Sequence, residues 1–223
     1  MIPPAKPLQA AIFDLDGLIA NTEDVYELAG NELMRRRGKE YSADLREQMM
    51  GRPVAESLKV MIEWHALSDT LEDLTTESRD LVYQFMETVL QPMPGLKSLL
   101  DELDAAEFPK AVATSGTKEY VQRVFSQLGL TKWFDFVLTS EDVLAGKPAP
   151  DVYLLGAKRL QLPPARVLVL EDSANGCRAA VAAGTYAVAV PNRHTLDHDF
   201  TGAQFVADTL ADPRIRVALQ LAS

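Results

Sequence analysis

Cysteine is nearly missing from this chain: Cys177 is the only one in 223 residues. A lone thiol allows no internal disulfide and has no second thiol with which to build a zinc site, a usage that fits a reducing compartment. Its setting, GCRAAVAAG, reads as a small packed residue on a helix, and no base accompanies it as a catalytic thiol would require. Positive charge is also short. Against 32 acidic side chains there are 22 Lys and Arg, a net charge of −10, and the field of such a chain repels phosphate backbones and anionic lipid heads. Neither nucleic acid nor a membrane surface is expected as a partner. No apolar run reaches the ~18 residues that a membrane span needs. The first residues, MIPPAKPLQA, lack the long apolar centre of a signal peptide. A cytoplasmic protein is the expectation. Repeats and low-complexity segments are absent too. With 47% hydrophobic and 24% charged residues, the composition of an ordinary globular protein, wholesale disorder is excluded.

What is present is a change of pattern along the chain. Residues Leu8 to Phe13 (LQAAIF) are a short apolar run ending at Asp14, which predicts a fully buried strand. From about Asn21 to Leu90, apolar residues such as Leu28, Leu33, Met34, Leu58, Met61, Leu81 and Phe85 recur at three-and-four spacing among many charges, predicting helices throughout. Gln91 to Gly95 (QPMPG) then breaks the pattern as a linker. Beyond it, helical and strand patterns alternate: helix Leu96 to Ala105, strand Lys110 to Thr114, helix Glu119 to Leu128, strand Phe134 to Thr139, helix Val152 to Leu160, strand Arg166 to Leu170, helix Ala174 to Ala183, strand Tyr186 to Val190. Alternation of this kind means βαβ units, hence an α/β core with a parallel sheet and helices on both faces. The expected division is a core domain, 1–20 with 92–223, interrupted by a helical domain, 21–91.

Parallel sheets bind ligands at the carboxyl ends of their strands, and there the polar residues gather. The first strand ends in Asp14 and Asp16, the second in Thr114 and Ser115, a later one in Glu171 and Asp172, while Lys147 lies in the loop AGKPAPD. Four carboxylates brought to one sheet edge repel one another unless a cation or proton sits among them. Oxygen donors without His or Cys favour Mg²⁺, a cation that usually shares its shell with a substrate phosphate. A phosphate ester is therefore the expected substrate. Two carboxylates two residues apart, with Gly17 to turn the chain, suit a nucleophile and an acid/base acting on the same phosphorus. Lys147 would offset anionic charge, and the Thr114 hydroxyl with the N–H groups of Ser115 and Gly116 would bind phosphoryl oxygens. Taken singly, each of these residues is equally an ordinary cap, turn or surface group; only the joint pattern carries the chemistry. His194 and His198 are four apart, but their surroundings predict a solvated loop rather than a metal site.

The segments FDLDGLIANTE (Phe13 to Glu23), VATSGT (Val112 to Thr117), GKPAPDVY (Gly146 to Tyr153) and LEDSANGCRAAVAAG (Leu170 to Gly184) resemble, in content, spacing and order, the four motifs of the haloacid dehalogenase (HAD) superfamily. The likeness spans nearly the whole chain and is greatest to the branch holding β-phosphoglucomutase, phosphoglycolate phosphatase and small sugar-phosphate phosphatases. It implies a Rossmann-like core with an inserted helical cap, Mg²⁺ dependence and a phosphoaspartate mechanism. By resemblance, Asp14 is the nucleophile and Asp16 the general acid/base, with its backbone carbonyl on the metal. Thr114 and Lys147 bind phosphate, Asp172 is a metal ligand, and Glu171 reaches the metal directly or through water. In the cap, Arg52 within MGRPVAESL stands where relatives carry a substrate-facing cation, and Glu23 is a second candidate contact.

The sequence departs from relatives at two places. Asn21 replaces an Asp common in the family, and Tyr26 stands where β-phosphoglucomutases carry a His. The second departure favours hydrolysis of a sugar phosphate or similar monoester over the alternative, phosphosugar mutase chemistry. Asp16 with Glu171 and Asp172 argues against dehalogenation. A non-catalytic phospho-ligand binding protein is the reading from another class. A cap that covers its own site leaves a monomer or weak homo-oligomer as the expected state.

Overall fold

The computed structural model describes residues 4–49 and 54–221. Two compact units divide the chain: Met1–Asn21 with Gln91–Ser223, and Thr22–Leu90 between them. The first unit opens with β1 (Ala10–Phe13). The strand is shorter than the Leu8–Phe13 run predicts, although the Gln9 N–H still donates to the Arg166 carbonyl.

The second unit holds α1 (Thr22–Arg35), α2 (Ala43–Met49), α3 (Val54–His65) and α4 (Leu71–Val89). Leu33, Met34, Leu45, Leu58, Met61, Leu74 and Leu81 are among its buried positions, the three-and-four spacing made into a core, while Leu28 of the same pattern is exposed. Thr70 caps α4 by accepting from the Asp73 N–H at 3.1 Å. Arg37, just past α1, joins Asp69 at 2.5 Å and Glu77 at 2.7 Å, tying the start of α4 to the end of α1. Arg52 lies outside the described residues.

The chain then returns to the first unit, where an antiparallel bridge pairs Ala20 with Pro92 and the Asn21 side-chain oxygen accepts from the Gln91 N–H at 2.7 Å. There follow α5 (Leu96–Ala105), β2 (Lys110–Ala113), α6 (Lys118–Leu128), β3 (Phe136–Leu138), α7 (Asp151–Arg159), β4 (Val167–Glu171), α8 (Ala174–Ala182), β5 (Tyr186–Ala189), β6 (Phe205–Val206) and α9 (Pro213–Leu219). The last strand and helix were not anticipated. A two-residue strand has no readable period, and α9 is a short helix started by the Asp212 cap and Pro213.

All strand pairs are parallel, in the order β3-β2-β1-β4-β5-β6. The fold is thus a Rossmann-like α/β sheet. β1 lies between β2 and β4, with Phe13 in register with Val112 and Leu170, so the loops leaving these three strands are neighbours. Every residue of β1, β2, β4 and β5 is buried, as strands that are apolar apart from Lys110 and Glu171 at their ends require when helices cover both faces. On one face Ile12, Leu138 and Val169 pack with Tyr153 of α7 and Ala179 of α8. Among the described residues no helix is long and apolar enough to cross a membrane.

Candidate active site

At the end of β1 the sheet ladder runs one residue further: the Asp14 N–H donates to the Leu170 carbonyl at 3.0 Å. This holds the Asp14 carboxylate at the carboxyl edge, buried. Leu15 and Leu18 stay in the core, and Gly17, at φ +72°, turns the chain. A Cβ on Gly17 would run into the Asp172 carboxylate and the Asn192 amide. Glycine is required there for space as well as for conformation.

β4 ends in Glu171, followed by Asp172 and by Ser173, which begins α8. Ser173 Oγ accepts from the Gly176 N–H at 3.1 Å and donates to Glu171 Oε2 at 3.1 Å, joining helix cap and carboxylate. Carboxylate oxygens of Asp14, Glu171 and Asp172 lie within 4.8 Å of one another. Among the described residues this is the one His, Cys, Asp and Glu grouping with metal-like spacing. His198 instead accepts from the Ala174 N–H at 3.3 Å, and burial holds its imidazole below the usual range.

Lys147 comes from the loop after β3. Its ammonium donates to Asp14 Oδ1, to Glu171 Oε1 at 2.7 Å and to the Ala113 carbonyl at 3.0 Å, an acceptor for each of its three protons. The nitrogen also lies 5.0 Å from the centre of the Tyr153 ring, and the Tyr153 hydroxyl donates to Glu171 Oε1 at 2.5 Å. Burial raises the Asp14 carboxyl most; Lys147 pulls it down, Glu171 and Asp16 push it up again, and the result is about 8. Burial lowers Lys147, but the charges of Asp14 and Glu171 outweigh it and hold the ammonium above the ordinary lysine range. Burial, then the charge of Glu171, keeps the Tyr153 phenol neutral, well above its usual range. Cys177, buried on α8, is likewise pushed up by burial and by Glu171.

Asp16 stands apart from the three-carboxylate group. Its Oδ2 accepts from the Thr114 hydroxyl at 3.1 Å and its Oδ1 from the Tyr120 hydroxyl at 2.6 Å. The expected convergence of four carboxylates is thus three plus one, because two hydroxyl donors give the fourth its own site. Thr114 Oγ1 accepts in turn from the Gly116 N–H at 2.9 Å. Thr114 is buried, Gly116 half-buried and Ser115 exposed. Glu23 lies half-buried in the first turn of α1, in the helical unit.

Three further residues complete the site without a signal of their own in the sequence pattern. Tyr153 was visible within GKPAPDVY, but its hydroxyl contact was not. Tyr120 sits in the first turn of α6 with no local signal. Asn192, in the loop after β5, donates from Nδ2 to Asp172 Oδ2 at 2.8 Å and to the Gly17 carbonyl at 3.0 Å.

The family model for haloacid dehalogenase-like hydrolases matches residues 11–190. The chain belongs to that family and is a hydrolase of it. It is 33% identical over 177 residues to a phosphorylated carbohydrates phosphatase of Thermotoga maritima, covering 79% of this chain and 82% of that protein. Fructose-1-phosphate phosphatase YqaB of Escherichia coli is 31% identical over 181 residues, 80% of this chain and 94% of its own. Among solved structures, CbbY of Rhodobacter sphaeroides in complex with phosphate superposes with a TM-score of 0.79 at 27% identity, covering 92% of this chain and 95% of that one.

Proposed function

We propose that this hydrolase is a Mg²⁺-dependent phosphatase of small phosphate monoesters, a sugar phosphate or similar, acting through a phosphoaspartate on Asp14. The observation that carries the reading is the placement of Asp14. It is a buried carboxylate at the edge of the sheet, paired with Lys147 and within a group of three carboxylates.

The donor set suits a hard divalent cation: every candidate ligand is an oxygen, and Gly17 leaves the space that a Cβ would take beside Asp172. Asp14 and Asp172, with the Asp16 backbone carbonyl, would hold Mg²⁺, and Glu171 would act directly or through water. Bound there, the cation would neutralise phosphoryl charge.

In the first half-reaction an Asp14 oxygen attacks phosphorus while the bond to the ester oxygen breaks, and Asp16 gives that oxygen its proton. In the second, Asp16 takes a proton from water as the water oxygen attacks phosphorus; the bond to Asp14 breaks and inorganic phosphate leaves. Lys147 keeps Asp14 from carrying uncompensated charge as the dianionic phosphate approaches. The Thr114 hydroxyl and the Ser115 and Gly116 N–H groups bind the phosphoryl oxygens, which requires the Thr114 hydroxyl to turn from Asp16 and to release the Gly116 N–H that it accepts from. Residues Thr22–Leu90 are read as the family's cap, the part that varies with substrate, with Glu23 and Arg52 as its candidate contacts.

Phosphate release from sugar phosphates, phosphoglycolate, nucleotides and p-nitrophenyl phosphate, with Mg²⁺ and with EDTA, tests the proposal. Metal-dependent release that Asp14→Asn abolishes is the expected result. Conversion of β-glucose 1-phosphate to glucose 6-phosphate without net release would replace it with the mutase reading. Binding without turnover would replace it with a non-catalytic one.

A further inference from the structure

We infer that Tyr120 is a positioning residue for the acid/base step: its hydroxyl keeps the Asp16 carboxylate aimed when Thr114 turns to the phosphate. The inference rests on the reading of Asp16 as general acid/base.

A threonine hydroxyl has one proton to give, and in this structure Thr114 gives it to Asp16 Oδ2. If that proton moves to a phosphoryl oxygen, the Oδ2 bond is lost. Oδ1 keeps the Tyr120 hydroxyl, at 2.6 Å the shorter of the two contacts and within the range of a strong charge-assisted bond.

Tyr120 is fixed independently of substrate. It lies in the first turn of α6, whose N-cap Thr117 accepts from the Tyr120 N–H. The residue is only 7% exposed. Its ring rests on Gly116, where an added Cβ would sit 2.8 Å from Tyr120 Cδ1. The carboxylate of a short side chain held at one oxygen by a fixed donor has little freedom to join the Asp14, Glu171 and Asp172 group. There it would be a fourth negative charge, and it would be lost to proton transfer.

A general acid matters most for poor leaving groups. An alkyl phosphate expels an alkoxide and needs the proton; p-nitrophenyl phosphate expels a stable phenolate and needs it little. Comparison of kcat/KM for the best alkyl phosphate of the panel above with that for p-nitrophenyl phosphate therefore isolates the acid step of phosphoryl transfer.

Tyr120→Phe, which deletes one oxygen and keeps the ring, should lower the alkyl phosphate value about tenfold and the p-nitrophenyl phosphate value less than about threefold. Its thermal midpoint, read alongside, should stay near the parent's. Asp16→Asn should show the same bias more strongly. Equal losses with both substrates, or no loss, in Tyr120→Phe while Asp16→Asn discriminates would overturn the role of Tyr120 alone. An Asp16→Asn variant that does not discriminate would overturn the reading of Asp16 on which it rests.

Discussion

Asn192 donates to Asp172 Oδ2 across 2.8 Å, and the same nitrogen donates to the Gly17 carbonyl at 3.0 Å. One side chain from the loop after β5 thus sets the orientation of a carboxylate at the end of β4 and pins the turn that follows β1. Groups that orient a metal ligand from behind typically change affinity by about 10- to 100-fold when removed. Asn192→Ala should therefore weaken Mg²⁺ binding by about tenfold in titration calorimetry. An unchanged affinity would leave Asn192 a loop anchor only.

The buried Asp14 carboxyl gives the protein without metal a distinctive dependence on pH. Its folded value is raised from 3.8 to about 8, by burial first and by Glu171 and Asp16 against the pull of Lys147. A raised carboxyl favours the fold below the unfolded value, and that contribution is lost as pH rises towards 8. In EDTA, Asp14→Asn should thus melt higher than the parent at pH 8, by about 5 °C, with the gap closing towards pH 4. Scanning calorimetry across that window checks it, and a variant less stable at pH 8 would contradict the assignment.

Gly176 lies where α8 starts, and a Cβ there would run into the Glu171 carboxylate. Gly176→Ala must push Glu171 from its place, taking with it acceptors for Lys147, Tyr153 and Ser173. The expected result is loss of at least about 10²-fold in phosphatase rate, with the circular dichroism of the folded parent retained. A rate within threefold of the parent would show that Glu171 can move without consequence.

In the helical unit, the Tyr41 ring packs on Gly30 of α1, leaving no room there for a Cβ. Burial, with the charges of Glu23 and Glu27 against that of Arg46, raises the Tyr41 phenol from 10.0 to about 12. The neutral phenol is favoured in the fold, so its contribution is complete below pH 10 and disappears as pH rises through 12. Tyr41→Phe cannot ionise. Between pH 10 and pH 12 its melting temperature should fall less than the parent's, by about 3 °C.

The legibility of the site follows from where its residues lie along the chain. Asp14, Lys147, Glu171 and Asp172 each stand in a short segment with its own signal, an apolar strand ending abruptly in polar residues or a glycine–lysine–proline loop. The order of strands and helices was readable for the same reason, since buried strands and amphipathic helices differ in period. Strand limits differ by about two residues at the ends of the apolar runs, as in β1 and β3.

Tyr120 and Asn192 had no such signal. A tyrosine in the first turn of a helix and an asparagine in a loop are ordinary residues until the sheet order, β3-β2-β1-β4-β5-β6, sets β2 and β4 on either side of β1. The same order explains why Asp16 left the acidic group. Two residues after Asp14, local geometry alone put both carboxylates on one side, but hydroxyls delivered by β2 and α6 offered Asp16 a better-satisfied place.

The sequence by itself thus determined the family, the parallel α/β architecture and the carboxylates and lysine of the site, because each is written in local pattern and spacing. Only the tertiary structure decided how those carboxylates divide, three together and one held by hydroxyls. That division depends on donors far apart in the chain, which the packing of helices on the sheet brings within hydrogen-bonding distance.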